Sequence, residues 1–273
     1  MTRIRKAVIP AAGLGTRFYP LTRAQPKEML PLVDKPVIHY VVEEALLSGL
    51  DEILIVVGPG KEAIINYFDS SNLDKMLGVS EYDDIPEIYF VRQRQLLGLA
   101  DAVRYAHKFV DDEPFVVLLG DTVYRTRHEN TITKELINAH SSVGKSIIAL
   151  EEVSEDKFKD YGMVESTAHS NSIVRIINLV EKPNIPDSPG KLGITGLYLL
   201  EPEIFDFIDV LNPGKNNEYQ LTDALSSMAA QSELYGYIID GERFDIGDME
   251  KWIAAFLKFL KLDPKFSHLL DKN

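Results

Sequence analysis

Short apolar runs alternate along this chain with segments in which apolar residues recur at helical spacing. The apolar runs have the length and β-branched content of buried strands. Strands are expected at residues 7–11, 53–57, 88–91, 115–119, 146–150 and 194–199. Helices are expected at residues 37–48, 61–68, 99–109, 133–142, 221–230 and 251–260. This alternation is typical of an α/β protein with a doubly wound sheet.

The alternation is not interrupted by an internal repeat or a low-complexity linker. A chain of 273 residues with 45% hydrophobic residues can bury a large core, and we expect a single domain over residues 1–273. Segments rich in Asp, Ser and Pro at residues 69–87 and 183–192 are expected to form surface loops. Residues 251–273 are expected to be a helical extension that serves oligomerisation. Three apolar residues of this extension are candidates for an exposed interface: Trp252, Phe256 and Phe259.

Composition excludes several classes of function. A formal net charge of -13 argues against a nucleic-acid or anionic-membrane partner, so an anionic substrate is expected to meet a local basic pocket. The chain has no cysteine, which excludes disulfides and thiolate catalysis. No apolar run reaches the roughly 18 residues of a membrane span. Residues 1–5 lead directly into a strand rather than a signal peptide, so a cytoplasmic enzyme is expected.

A glycine loop follows the first predicted strand, where open α/β sheets bind their ligands. Gly13 and Gly15 carry no Cβ, so backbone N–H groups there can approach an anion closely. Arg17 and Lys27 add positive charge. The loop lacks the third small residue of a dinucleotide fingerprint and the Gly-Lys-Ser/Thr ending of a P-loop. It indicates another kind of phosphate site, with a structural turn as the alternative for the short glycine motif alone.

The motif becomes more specific when the following residues are included. Residues 13–17, Pro20, Thr22 and residues 26–31 together resemble the signature of the sugar-phosphate nucleotidyltransferases. Residues 27–36 are similar to the form found in the uridylyltransferases of that family. The resemblance implies a Rossmann-like α/β fold, in which a mixed, mostly parallel central sheet is flanked by helices on both faces.

The same resemblance implies an activity, the transfer of a uridylyl group from UTP to α-D-glucose 1-phosphate, which gives UDP-glucose and pyrophosphate. Arg17 and Lys27 would be catalytic, with Arg17 stabilising the leaving pyrophosphate and Lys27 holding a reacting phosphate. The nucleotide would be bound by the glycine loop and by residues further along the chain: Ala11, Ala12, Gly13, Leu14, Gly15, Thr16, Glu28, Gln93 and Gly98.

Two carboxylates are candidates for a metal site. Asp121 follows the apolar run at residues 115–119, and Mg²⁺ on a nucleoside triphosphate is typically held by one or two carboxylates with phosphate oxygens and water. The resemblance implies Mg²⁺ as the cofactor, with Asp121 and Asp245 as its ligands. On the residues alone, Asp121 could equally cap a turn or helix. Asp245 and Asp248 could cap the helix that follows them.

Gln93 matches the glutamine that reads the pyrimidine edge in this family, and its carboxamide offers a donor and an acceptor to uracil or thymine. Gln95, two residues further on, is the alternative. Residues 98–102 read Gly-Leu-Ala-Asp-Ala, which is closer to the thymidylyltransferases than to the Gly-Leu-Gly-His-Ala of uridylyltransferases. The choice between UTP and dTTP therefore stays open, because one methyl group separates the two bases.

The sugar phosphate is expected to meet the middle of the chain. The resemblance assigns four residues to it: Gly162, Glu181, Lys182 and Gly196. Glu181 would accept hydrogen bonds from the hexose hydroxyls, and Lys182 would bind the phosphate. On local sequence alone, Glu-Lys-Pro is more typical of a solvated turn. Residues 218–224 are expected to begin a helix, with Thr222 or Asp223 near its cap.

Three hypotheses follow. The first is the uridylyltransferase, in which the anionic sugar phosphate attacks the α-phosphate without a general base. The second is a thymidylyltransferase that uses dTTP, and the third is a non-catalytic subunit that binds nucleotide sugars. The six histidines form no pair at metal-ligand spacing and offer no competing catalytic scheme. The resemblance also implies a homodimer or homotetramer.

Overall fold

The computed structural model describes residues 3–69, 86–170, 172–214 and 217–270. Its strands are β1 Lys6–Ala11, β2 Pro31–Leu32, β3 Lys35–Pro36, β4 Glu52–Val57, β5 Glu87–Arg92, β6 Phe115–Leu118, β7 Thr122–Thr126, β8 Ile147–Glu152, β9 Gly162–Ser170, β10 Ile173–Glu181, β11 Leu192–Leu200, β12 Tyr235–Ile238 and β13 Gly241–Asp245. Its α-helices are α1 Val37–Leu47, α2 Glu62–Phe68, α3 Leu99–Arg104, α4 His107–Val110, α5 Ile132–Val143, α6 Ile204–Asp209, α7 Leu221–Gln231 and α8 Met249–Leu262. None of the helices in these ranges is long and apolar enough to cross a bilayer.

Nine of the described strands form one sheet in the order β5-β4-β1-β6-β11-β8-β12-β10-β9. The first four strands in this order are parallel, and β8 is parallel to β12. Within the described sheet, β10 and β11 run opposite to the other strands. The sheet is therefore mixed but mostly parallel, as predicted.

Alternate residues of the central strands face two separate cores. In β1, Ala7, Ile9 and Ala11 pack on one side of the sheet, while Val8 packs on the other. The first core is closed by α1, α2 and α5, and the second by α3, α6 and α7. Because β1 and its neighbours are buried on both faces, they read as continuous apolar runs. The prediction of helices on both faces is confirmed.

The six predicted strands all form, with ends that differ by at most two residues. The predicted helix at residues 99–109 is two helices, because the Ala106 N–H donates to the Val103 carbonyl at 2.8 Å and tightens the turn between them. The β9–β10 hairpin, β12 and the β7–β13 pair were not predicted from the sequence. Most of the predicted loop at residues 69–87 lies outside the described residues, and residues 183–192 contain a 3₁₀ turn and the first residue of β11.

The C-terminal helix differs from the expectation. Trp252, Phe256 and Phe259 are not exposed: they pack partly buried against a cluster that includes Leu30 and Leu32. The Trp252 indole N–H also donates to the Pro31 carbonyl at 3.0 Å. These aromatic residues share one face of α8, and that face is attached to the domain. The outward face instead presents Ile253 and Leu257, which are 46% and 49% exposed.

Candidate active site

The glycine loop lies where β1 ends, and a hydrogen bond fixes its shape. Gly15 has a φ of 64°, a conformation that disfavours other residues, and a 3₁₀ turn at Thr16–Phe18 follows it. The Thr22 hydroxyl donates to the Gly15 carbonyl at 2.8 Å. This contact gives a structural reason for the threonine of the motif. The buried Phe18 then anchors the loop to the core.

A cavity of about 510 Å³ opens beside this loop. We call it the loop cavity. Its lining comes from the glycine loop, from the segment between β5 and α3 and from the first residue of α3: Ala12, Gly13, Leu14, Gly15, Thr16, Gln93, Leu96, Gly98 and Leu99 among others. Gln93 belongs to this lining, whereas Gln95 does not. Of the two glutamines considered from the sequence, Gln93 is thus the one that lies at this cavity.

A second cavity of about 330 Å³ lies beside the β9–β10 hairpin. We call it the hairpin cavity. Gly162, Glu181, Lys182 and Gly196 all line it, together with Arg17. The strand register places Gly162 opposite Glu181. A Cβ on Gly162 would lie 3.1 Å from a Glu181 carboxylate oxygen, so glycine leaves room for this side chain.

The two cavities meet at Asp121, which lines both of them. Its carboxylate forms an ion pair with the ammonium group of Lys27. Burial lowers the pKa of Lys27, but the charges of Asp121, Glu28 and Asp245 outweigh burial and raise this pKa above its usual value. Lys27 itself lines neither cavity, but its ion pair with Asp121 places a positive charge beside the junction.

Asp245 reaches the same junction through strand pairing. The β7–β13 register sets it opposite Thr122, and the Ile246 N–H donates to the Asp121 carbonyl at 2.8 Å. Burial opposes ionisation of Asp245, but Lys251, Arg243 and Lys27 hold its pKa below the usual value. Its carboxylate accepts a hydrogen bond from the Lys251 ammonium at 2.7 Å.

The carboxylates of Asp121 and Asp245 fit a Mg²⁺ ion that phosphate groups also bind. Asp121 and Asp245 offer two carboxylates at one cavity, and Mg²⁺ commonly takes one or two carboxylates and completes its shell with phosphate oxygens and water. No group of three or more potential ligands is found among the described residues. The residues thus suit a metal that arrives with a nucleotide better than a metal held by the protein alone.

Asp248 has a different task. Its side chain accepts a hydrogen bond from the Lys251 backbone N–H at 3.0 Å and caps the N-terminus of α8. Of the two acidic residues considered as caps, Asp248 is the one that caps this helix, while Asp245 faces the hairpin cavity.

Three features of the site were missed by the sequence analysis. The Thr222 hydroxyl donates to the Glu181 carboxylate at 2.7 Å, although Thr222 was read only as part of a helix start. Arg243 lines the hairpin cavity, donates to Glu151 at 2.7 Å and lies 4.8 Å from the Tyr161 ring centroid. Each contact joins residues distant in sequence, so the local pattern gave no signal for it.

Lys61 is the third missed feature. Its ammonium group donates to the Glu28 carboxylate at 2.6 Å, and both side chains are almost fully buried. Burial raises the pKa of Glu28 and lowers that of Lys61. Glu28 and Ala11, both predicted to bind nucleotide, line neither cavity. Glu28 instead follows Lys27 in the chain, and its negative charge helps to raise the pKa of Lys27.

The expectation of a basic pocket is wrong for the hairpin cavity. Its lining contains four basic residues, Arg17, Lys182, Arg243 and Lys251. It also contains five acidic residues, Asp121, Asp160, Glu181, Glu218 and Asp245. The carboxylates offset the basic charge, so anionic substrates would gain from a cation that binds with them.

Comparison with known proteins agrees with this geometry. The sequence profile described as nucleotidyl transferase matches residues 6–261. The chain belongs to the nucleotidyl transferase family. A UTP–glucose-1-phosphate uridylyltransferase of Staphylococcus haemolyticus is 39% identical, and the alignment covers 100% of this chain and 98% of that protein. A relative from Methanocaldococcus jannaschii, provisionally given the same name, is 42% identical with 98% of each chain covered.

A solved structure extends the match to the fold. The crystal structure of UDP-glucose pyrophosphorylase complexed with UDP-glucose superimposes with a TM-score of 0.90 at 37% identity, over 96% of this chain and 100% of that chain. The predicted resemblance, the fold class and the assignment to nucleotidyl transferase enzymes are therefore confirmed.

Proposed function

We propose that this nucleotidyl transferase family member transfers a uridylyl group from UTP to α-D-glucose 1-phosphate, giving UDP-glucose and pyrophosphate. The observation that carries the proposal is the meeting of two cavities at Asp121. The loop cavity offers glycine backbone and a glutamine, which suit a nucleotide, and the hairpin cavity offers a carboxylate, which suits sugar hydroxyls. The names of the relatives support the same substrates.

The reaction needs alignment and charge neutralisation rather than a base. A phosphate oxygen of glucose 1-phosphate is already anionic and attacks the α-phosphorus of UTP. The new P–O bond forms as the bond from the α-phosphorus to the α–β bridging oxygen breaks, and that electron pair leaves with pyrophosphate. Lys27, which is paired with Asp121 beside the junction, would stabilise charge on the reacting phosphates, Lys182 would hold the sugar phosphate, and Arg17 would bind the leaving pyrophosphate.

Asp121 and Asp245 would hold Mg²⁺ in this proposal. When bound, the ion would neutralise phosphate charge and help to orient the phosphates. In the described structure Lys27 is paired directly with Asp121. Once the nucleotide binds, we expect the ammonium group of Lys27 to turn from this carboxylate toward a phosphate oxygen.

A thymidylyltransferase is the second candidate, because residues 98–102 resemble that group. Ala100 stands where the uridylyltransferase pattern has its second glycine. Its side chain is fully buried in the second core, and it lines neither cavity. Ala100 therefore does not reach a base bound in the loop cavity, and this departure alone does not favour dTTP.

The test is pyrophosphate release with glucose 1-phosphate and Mg²⁺, with UTP and dTTP compared at equal concentrations. The proposal expects a clear preference for UTP. A preference for dTTP would assign the chain to the thymidylyltransferases. Release with neither nucleotide, in a protein that still binds UDP-glucose, would indicate a non-catalytic binding subunit.

A further inference from the structure

Gln93 has a fixed side chain at the edge of the loop cavity. It follows β5, its N–H donates to the Val57 carbonyl at 2.9 Å, and the residue is 2% exposed. Its side-chain nitrogen, Nε2, donates to the Asp101 carboxylate at 2.8 Å and to the Gly98 carbonyl at 3.3 Å. Both hydrogens of the carboxamide therefore have partners within the protein.

Those two partners determine which way the carboxamide faces. A carbonyl oxygen and an ionised carboxylate accept hydrogen bonds and cannot donate them. If the carboxamide rotated by 180°, its oxygen would face two other acceptors, and two hydrogen bonds would be replaced by repulsion. The nitrogen is thus held inward. The oxygen, Oε1, is the polar atom of Gln93 left to face the cavity that this residue lines.

Asp101 is itself held in place. It is 6% exposed, and Arg104 lies 3.4 Å from its second carboxylate oxygen. Arg104 is fixed in turn by Asp209 at 3.0 Å and by the Ile208 carbonyl at 2.7 Å. Each of the two carboxylate oxygens of Asp101 therefore accepts from a donor, one from Gln93 and the other from Arg104.

We infer that Asp101 sets the base selectivity of the loop cavity by fixing Gln93 with its nitrogen inward and its oxygen toward the base. Uracil carries a hydrogen-bond donor at N3, which this oxygen accepts. The N3 atom of cytosine is an acceptor, and it would face the oxygen without a hydrogen between them. Asp101 is a positioning residue for discrimination against cytosine, and this role rests on the proposed function.

The test uses Asp101→Asn, which keeps the size of the side chain but adds a donor. Arg104 donates to one oxygen of Asp101, so an asparagine is expected to keep its oxygen at that position and to turn its NH2 group toward Gln93. A rotated Gln93 carboxamide could then accept from this NH2 group, and only the Gly98 carbonyl would still oppose the rotation. We measure kcat/KM with UTP and with CTP, each with glucose 1-phosphate and Mg²⁺. The UTP-to-CTP ratio should fall by about tenfold or more, on the scale of one hydrogen bond lost to a polar partner.

The matched control is Asp209→Asn, which makes the same chemical change at the other carboxylate of Arg104 and does not touch Gln93. Its UTP-to-CTP ratio should stay close to that of the wild type, because the Ile208 carbonyl still holds Arg104 in place. The ratio is taken within one protein preparation, so an unfolded fraction cancels. If Asp101→Asn does not fold, Asp101→Ser replaces it, because a hydroxyl also donates and accepts.

The outcomes separate this inference from the proposed function. A wild-type protein inactive with both nucleotides would contradict the proposed function itself. A wild type that prefers UTP, with an unchanged ratio in Asp101→Asn, would overturn the role of Asp101 alone. Equal losses of selectivity in Asp101→Asn and Asp209→Asn would also overturn it, because general loosening would then be the cause.

Discussion

The ammonium group of Lys27 and the carboxylate of Asp121 form an ion pair where the loop cavity meets the hairpin cavity. Lys27 is largely buried, and its raised pKa keeps it charged at neutral pH. A preorganised charge at such a junction stabilises the transition state more than the bound nucleotide.

Lys27→Ala should therefore lower kcat more than it weakens UTP binding. We expect kcat to fall by about 10²-fold or more, with a much smaller change in KM for UTP. The measurement is initial rates of pyrophosphate release over a range of UTP concentrations. Lys108→Ala is the control and should leave both constants unchanged, because Lys108 is exposed, lines neither cavity and, unlike Lys27, is not paired with Asp121. Equal losses in kcat and in UTP binding would contradict the catalytic role.

Asp245 allows a separate test of the metal site. Asp245→Asn should raise the Mg²⁺ concentration needed for half-maximal activity by about tenfold or more, because one negative ligand is lost. The measurement is a Mg²⁺ titration at saturating UTP and glucose 1-phosphate. Asp248→Asn is the matched control, because Asp248 lines neither cavity and an asparagine oxygen can still cap α8, so this variant should neither shift the titration nor change stability by more than a few tenths of a kcal/mol. A similar shift in both variants would argue against Asp245 as a ligand.

Thr222 links helix α7 to the expected sugar site. Thr222→Val keeps the shape but removes the hydroxyl that donates to Glu181. KM for glucose 1-phosphate should rise about threefold to tenfold, while KM for UTP stays the same, because the carboxylate is less well fixed. Steady-state kinetics with each substrate varied in turn measure both constants. The same substitution at the exposed Thr167 should change neither constant. A rise confined to KM for UTP would show that Thr222 affects binding in the loop cavity instead of the hairpin cavity.

The structural features that depend on the local sequence pattern could be predicted from the sequence. The strand at β1 is a continuous apolar run because both of its faces are buried, and the glycine loop and Asp121 follow from the ends of two such strands. The β9–β10 hairpin was missed because most of β9 beyond its first three residues is exposed, so its apolar signal is short.

Long-range contacts were not predictable in the same way. Thr222 and Glu181 are 41 residues apart, and Arg243 and Glu151 are 92 apart. The inward face of α8, however, could have been predicted from the spacing of its aromatic residues. Its aromatic residues recur at intervals of four and three, which is the spacing of one buried helix face. Applying that period would have placed them against the core.

The buried pair of Lys61 and Glu28 makes a prediction about stability. Lys61→Met leaves the Glu28 carboxylate buried without its partner, which should cost about 3–5 kcal/mol in the free energy of unfolding. Glu28→Gln combined with Lys61→Met removes both charges and should restore part of this loss. Urea denaturation of the two single variants and the double variant measures the coupling. If the two single losses simply add, the pair contributes no coupling and the prediction is wrong.

The burial of His39 leads to a prediction of how the stability of the protein changes with pH. It is 2% exposed, and burial, with the charge of Lys35, lowers its pKa below the usual value. Between the lowered folded pKa and the unfolded value of about 6.5, the unfolded chain binds more protons, so stability falls as pH drops below about 6.5. From pH 7.5 to 5.5 the wild type should lose up to about 1.4 kcal/mol more than His39→Gln, measured by urea denaturation at each pH. His128 is the contrasting control, because Asp240 raises its pKa and His128→Gln should shift the pH dependence in the opposite direction. Parallel pH profiles for the wild type and His39→Gln would contradict a neutral, buried His39.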